Sequence, residues 1–94
     1  MITKIRKRDG REDHFIPERI TRAIFLAASR VAKEEGTEAD YETAEYLTDR
    51  VVSLLNKKYK DEVPSVEQVQ DAVVKVLIEA GHAKTSEKYI LYRQ

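Results

Sequence analysis

The chain has 94 residues, enough for one domain over residues 1–94 with a modest core, and its 41% hydrophobic and 36% charged residues argue for a folded chain. Seventeen Lys and Arg balance seventeen Asp and Glu, which leaves no basic excess for coating a nucleic acid, so nucleic acid is not an expected partner. The lack of cysteine excludes disulfides, zinc ribbons, thiol catalysis and iron–sulfur clusters; no apolar run reaches the ~20 residues of a membrane span and the N-terminus is no signal peptide, so the chain reads as a cytoplasmic domain without a membrane partner.

Residues 2–15 read as a β-hairpin, because Asp9-Gly10 is a turn pair in which both residues tolerate positive φ. A strict two-residue turn sets Ile5 opposite His14. A three-residue loop, Asp9-Gly10-Arg11, sets Ile5 opposite Phe15 and Lys7 opposite Asp13. The second register is preferred, since it gathers the apolar pair on one face and matches opposite charges. Pro17 starts the first helix, where its missing N–H is not needed; Ile20, Ala23, Ile24, Ala27, Ala28 and Val31 recur at spacings of three and four, and Gly36 stops it.

A second helix is expected over about residues 39–59, with Tyr41, Ala44, Thr48, Val51 and Leu55 on one stripe. Val63-Pro64 must be extended, which makes a short third strand plausible there. Ser65-Val66-Glu67-Gln68 is a capping box ahead of Val69, Val73, Val76, Leu77 and Ala80, and Gly81 ends that third helix. The last segment, residues 83–94, reads as a fourth helix starting near Thr85 or Ser86, although Tyr89-Ile90-Leu91-Tyr92 also fits a strand. The fold class is therefore α+β: a four-helix bundle capped by a small two- or three-stranded sheet.

Charge is concentrated at the start of the chain. Residues 1–22 carry seven Lys and Arg against four acids. The stretch from Ile5 to Arg11 offers cations, a turn with exposed N–H groups and a glycine that lets backbone approach a ligand. Arg19 and Arg22 sit at the start of the next helix, whose N-terminus adds free N–H donors and partial positive charge. Hairpin tip and helix start thus form a candidate phosphate site; on charge alone, a solvated tip with ordinary surface arginines is the competing reading. His14 and His82 lie far apart in the sequence with no nearby cysteine or acidic cluster, and do not make a metal site. His82 follows Gly81 and is expected to meet the helix C-terminus. The pairs Glu34-Glu35 and Asp61-Glu62 read as solvated charge, the five tyrosines as core edges and helix contacts, and no acid–base pair or activated nucleophile stands out.

Lys7-Arg8-Asp9-Gly10-Arg11, then Phe15, then Pro17-Glu18-Arg19-Ile20 and Arg22-Ala23-Ile24, resembles the opening of the ATP-cone family. The run Val63 to Asp71 resembles the start of that family's third helix, and Tyr89-Ile90-Leu91-Tyr92-Arg93 its closing stretch, so the similarity spans essentially the whole chain. The resemblance implies a sheet-capped four-helix bundle that binds ATP or dATP as allosteric effector, with Mg2+ accompanying the phosphates, and sets the activity of a ribonucleotide reductase. It implies as partners the reductase's catalytic domain and, through the cone, a further copy of the chain. Carried over by position, Ile5 would line the nucleotide, Lys7 and Arg8 would meet phosphates, and Asp9 and Gly10 would shape the turn that Arg11 completes. Asp13 to Ile16 would border the adenine, with Ile16 standing where the family often has Asp or Asn. Arg19 replaces a phosphate-contacting lysine with a planar fork. Val66 and Gln70 would face the same cleft, and Arg93 would reach the phosphates from the last helix; for Gln70 and Arg93 a solvated surface role is the alternative.

No turnover is expected from this chain, because the reductase reaction needs cysteines. Two other functions compete: the nucleotide-sensing half of a repressor of reductase genes, which would place a zinc ribbon before the cone whereas Met1 leads straight into it, and a helical interaction domain with no ligand. The end of the chain inside the last expected helix points to the N-terminal piece of a longer protein.

Overall fold

The computed structural model describes residues 1–93. Among them the chain forms two strands, β1 (Lys4–Arg6) and β2 (Glu12–His14), and four helices, α1 (Pro17–Glu35), α2 (Tyr41–Lys58), α3 (Val66–Glu79) and α4 (Ala83–Arg93). Proline opens α1 and Gly36, at φ 71°, closes it in the left-handed conformation with its N–H on the Ala32 carbonyl. Asp40 caps α2 by accepting the Glu42 N–H. The capping box of α3 is complete: Ser65 Oγ accepts the Gln68 N–H and Gln68 Oε1 accepts the Ser65 N–H. At its other end the Gly81 N–H reaches the Ile78 carbonyl and the His82 N–H the Leu77 carbonyl. His82 thus meets the helix C-terminus through its backbone.

Each helix touches two neighbours in a closed ring: α1 packs on α2 and α4, and α3 packs on α2 and α4. Ile24, Val51, Leu55, Val73 and Leu77 sit at the centre, all almost wholly buried. Two buried threonines cross the α1–α2 seam. Thr21 Oγ1 donates to Thr48 Oγ1 at 2.7 Å, and Thr48 Oγ1 donates to the Ala44 carbonyl at 2.8 Å, so the hydroxyl groups are satisfied without water. Tyr41, expected on the α2 core stripe, is 45% exposed and instead meets the edge of Phe25. Tyr89-Ile90-Leu91-Tyr92 is helical. Burial at Thr85, Ser86 and Tyr89 with exposure at Leu91 and Tyr92 follows a helical period, whereas a strand would put Tyr89 and Leu91 on one face. The helix begins at Ala83, two residues earlier than expected. Lys84 pairs with Glu35 and Lys88 with Glu34, so that acidic pair ties α1 to α4 rather than standing free in solvent.

The strands pair antiparallel with Lys4 opposite His14, Ile5 opposite Asp13 and Arg6 opposite Glu12. The expected register, with Ile5 opposite Phe15, is therefore displaced by two residues. The loop is Arg8-Asp9-Gly10, closed by Lys7 N–H on the Arg11 carbonyl and Gly10 N–H on the Lys7 carbonyl. Gly10, at φ 89°, fills the final loop position, which demands a left-handed residue. The loop Asp9-Gly10-Arg11 would have forced that conformation on Arg11. A two-residue shift preserves side-chain parity, so Ile5, Lys7 and Asp13 still share a face, and Lys7 Nζ reaches Asp13 Oδ2 diagonally at 3.4 Å. The third strand is reduced to one parallel bridge, Arg6 to Ser65, with the Arg6 N–H on the Pro64 carbonyl. That bridge fastens the hairpin to the start of α3.

Candidate functional site

The hairpin, the first turns of α1, the first turns of α3 and the end of α4 enclose two adjoining clefts. One, of about 260 Å³, is largely hydrocarbon: Ile5, Phe15, Ile16, Ile20, Ala23, Val66 and Val69 line it, with Tyr89 and Tyr92 closing one side. His14, Arg19 and Gln70 supply its polar groups. The other, of about 410 Å³, is polar and lined by Arg8, Glu67, Gln70, Asp71 and Arg93. Gln70 lines both, at their junction.

Local sequence explains this placement. Val66, Val69 and Gln70 follow the Ser65 cap at helical spacing, as do Tyr89, Tyr92 and Arg93, so each helix presents apolar and polar groups side by side. The N-cap position of α1 is Ile16, which offers no side-chain acceptor to the first-turn N–H groups. Pro17 has no N–H and the Arg19 N–H donates to the Ile16 carbonyl, so what this helix end brings beside the apolar cleft is chiefly its partial positive charge.

Of the expected site residues, Ile5, Ile16, Arg19, Val66 and Gln70 line the apolar cleft, and Arg8, Gln70 and Arg93 the polar one. Lys7, Asp9, Gly10, Arg11 and Asp13 are not among the lining residues described. Asp9 and Arg11 pair with each other at 2.7 Å on the hairpin tip. Asp13 accepts its neighbour His14's N–H and pairs with Lys7, and these contacts, the His14 hydrogen bond foremost, hold its carboxyl below the ordinary value of 3.8; Arg19 adds a weaker pull in the same direction. Of the hairpin tip, Arg8 lines the polar cleft together with Arg93 of α4, while Arg19 of the α1 start lines the apolar cleft beside it.

Tyr89 and Tyr92, read from sequence as core edges, are walls of the apolar cleft, as is His14. Aromatic residues at helical spacing carry no mark that separates a core from a cleft wall; only the helix packing decides. Burial pushes the Tyr89 phenol up from 10 to about 12. Below pH 10 the phenol is protonated whether the chain is folded or not. Between pH 10 and 12 the unfolded chain releases the proton and the folded one keeps it, so stability falls as pH rises through that window, by about 2–3 kcal/mol in all. Lys84, held above 10.5 first by its hydrogen bond to Glu35, adds a loss of the same sign. Urea unfolding from pH 9 to 12 measures the decline, and Tyr89→Phe removes most of it; a decline identical in both proteins would contradict the assignment.

A hairpin laid across one end of a helix ring, beside one hydrocarbon cleft and one ionic cleft, defines a small α+β domain: a four-helix bundle with a two-stranded cap. The ATP cone domain model matches residues 3–94, and the chain belongs to the ATP-cone family. It is 41% identical over 99 residues to a vitamin B12-dependent ribonucleoside-diphosphate reductase of Thermoplasma acidophilum, an alignment covering all of this chain and 12% of that protein. It is 33% identical over 92 residues to a ribonucleoside-diphosphate reductase subunit alpha of Chlamydia muridarum, covering 94% of this chain and 9% of that protein. A subunit alpha of Chlamydia pneumoniae is 32% identical over 95 residues, covering 99% of this chain and 9% of its own length. The chain therefore spans about a tenth of the length of these relatives.

Proposed function

We propose that this chain is a non-catalytic regulatory module that binds ATP or dATP and, through that binding, controls a ribonucleoside-diphosphate reductase. The observation that carries the reading is the junction at Gln70, where a hydrocarbon cleft fit for a base runs into a polar cleft that holds two arginines, Arg8 and Arg93. The base lies among Ile5, Phe15, Ile16, Val66 and Tyr92, the ribose passes Gln70, and the triphosphate meets Arg8 and Arg93. Arg19 and the positive end of the α1 dipole steady the phosphate nearest the sugar. Lys7 and Asp13 act from beneath, fixing the strand that carries Ile5, while Asp9, Gly10 and Arg11 hold the turn that aims Arg8. Magnesium accompanies the triphosphate, held by the phosphate oxygens themselves.

ATP and dATP differ by one hydroxyl. Binding reports that difference only if the two ligands favour different arrangements of this domain against its surroundings, with a coupling on the order of 1–3 kcal/mol. The relatives' names support a reductase catalytic domain as the surroundings, and a further copy of the cone is the second candidate contact. Titration calorimetry with ATP, dATP and GTP tests the reading. ATP and dATP bind at about millimolar affinity or better. GTP binds more weakly, because a hydrocarbon cleft leaves guanine's additional polar edge unpaired. No heat from any adenine nucleotide at millimolar concentration ends the proposal.

A further inference from the structure

The polar cleft holds two cations, and both are already engaged. Arg8 Nε donates to Glu67 Oε2 at 2.9 Å, and Arg93 Nη1 donates to Asp71 Oδ1 at 3.4 Å. Glu67 and Asp71 are four residues apart on α3, hence on one face of it, and both line the cleft. Two guanidinium groups facing two carboxylates leave the cleft with no formal net charge. A cleft of that kind is a poor trap for a free polyanion, although its arginines have the planar fork that takes phosphate in bidentate fashion.

We infer that Glu67 and Asp71 are built-in competitors for the phosphate, which hold down the affinity of the polar cleft and must release Arg8 and Arg93 when a polyphosphate enters. The inference rests on the nucleotide reading for its ligand but concerns the anion cleft alone. Three features make the release feasible. The Glu67 side chain is 50% exposed and that of Asp71 73%, so either carboxylate regains water by a rotamer change. Exposed pairs of this kind are individually weak. Arg93, by contrast, is 25% exposed at its side chain, so it stays at the cleft when its partner leaves. The carboxylates also oppose the ligand after release, since they remain on the face of α3 that looks into the cleft. A sensor must let its ligand go when the concentration drops, and a competitor carried on the same chain keeps the grip loose without removing the cations that give it direction.

The test measures binding of sodium tripolyphosphate, ATP and adenosine to this chain and to Glu67→Gln, Asp71→Asn and the double variant, by calorimetry in buffer with a chelator and no divalent cation. Each single substitution tightens tripolyphosphate and ATP by about two- to fivefold, and the pair by about tenfold. Adenosine, which leaves the polar cleft empty, binds all four proteins alike and reports that the fold is intact. Added salt weakens tripolyphosphate more steeply in the double variant, whose cleft then carries an uncancelled double positive charge. Unchanged or weaker tripolyphosphate binding in the double variant, with adenosine binding or the thermal melt preserved, overturns the inference. The two readings separate cleanly. Tighter tripolyphosphate without any ATP or adenosine binding keeps the competitors and ends the nucleotide proposal, whereas ATP binding that ignores both substitutions keeps the nucleotide proposal and ends the competitors.

Discussion

Replacing Arg8 and Arg93 together by alanine lowers the affinity for ATP by about a hundredfold, since each guanidinium–phosphate contact is worth about 1.5–3 kcal/mol and the more exposed Arg8 falls at or below the low end of that range. The two residues come from opposite ends of the chain and meet only through the packing of α4 on α3 and of the hairpin on α3. Adenosine binds the double variant as it binds the parent, because the apolar cleft is untouched. Arg11→Ala is the control: it sits on the hairpin tip paired with Asp9, and its loss changes ATP affinity by less than about twofold. Calorimetry reads all three. An Arg8, Arg93 double variant that holds ATP as tightly as the parent would mean that the phosphates lie elsewhere, with Lys7 and Arg19 the next cations to examine.

Leu77→Ala lowers the unfolding free energy by about 3 kcal/mol. Leu77 has 0% exposure at the centre of the bundle, so its loss removes hydrocarbon contacts and leaves a cavity that well-packed neighbours fill only in part. For a domain of this size, ~4–8 °C of Tm follows each kcal/mol, which places the expected fall near 15 °C. Leu91→Ala, on the same kind of side chain at 64% exposure, stays within about 0.5 kcal/mol of the parent. Thermal melts followed by circular dichroism compare the two; equal Tm values would mean that the core does not lie where the burial pattern puts it.

The helices were legible because their signals are local. Pro17, Gly36, the Ser65–Gln68 box and Gly81 each act within one turn of chain, and apolar spacing of three and four reports the buried face directly. The strand register was not legible from patterning, because two registers differing by two residues put Ile5, Lys7, Asp13 and Phe15 on the same face. The conformation demanded at Gly10 decides between them, and the choice of a loop centred on that glycine missed it. The site was legible in part. The resemblance drew attention to Ile5, Arg8, Arg19, Val66, Gln70 and Arg93, all of which line one cleft or the other. It did not separate those from Lys7 and Arg11, although the match of Lys7 with Asp13 was legible across the strands; the turn of Arg11 back onto Asp9 depends on the loop geometry. Nor did it show that Glu67 and Asp71, ordinary members of a charged helix face, stand against the two arginines.

The threonine relay between α1 and α2 gives the bundle unequal halves. The Thr21–Thr48 and Thr48–Ala44 bonds are directional, whereas the contacts of the Val, Ala and Leu side chains buried along α3 are not. Parting α1 from α2 therefore costs the Thr21–Thr48 hydrogen bond as well as hydrocarbon contact, a penalty that a purely apolar seam does not carry.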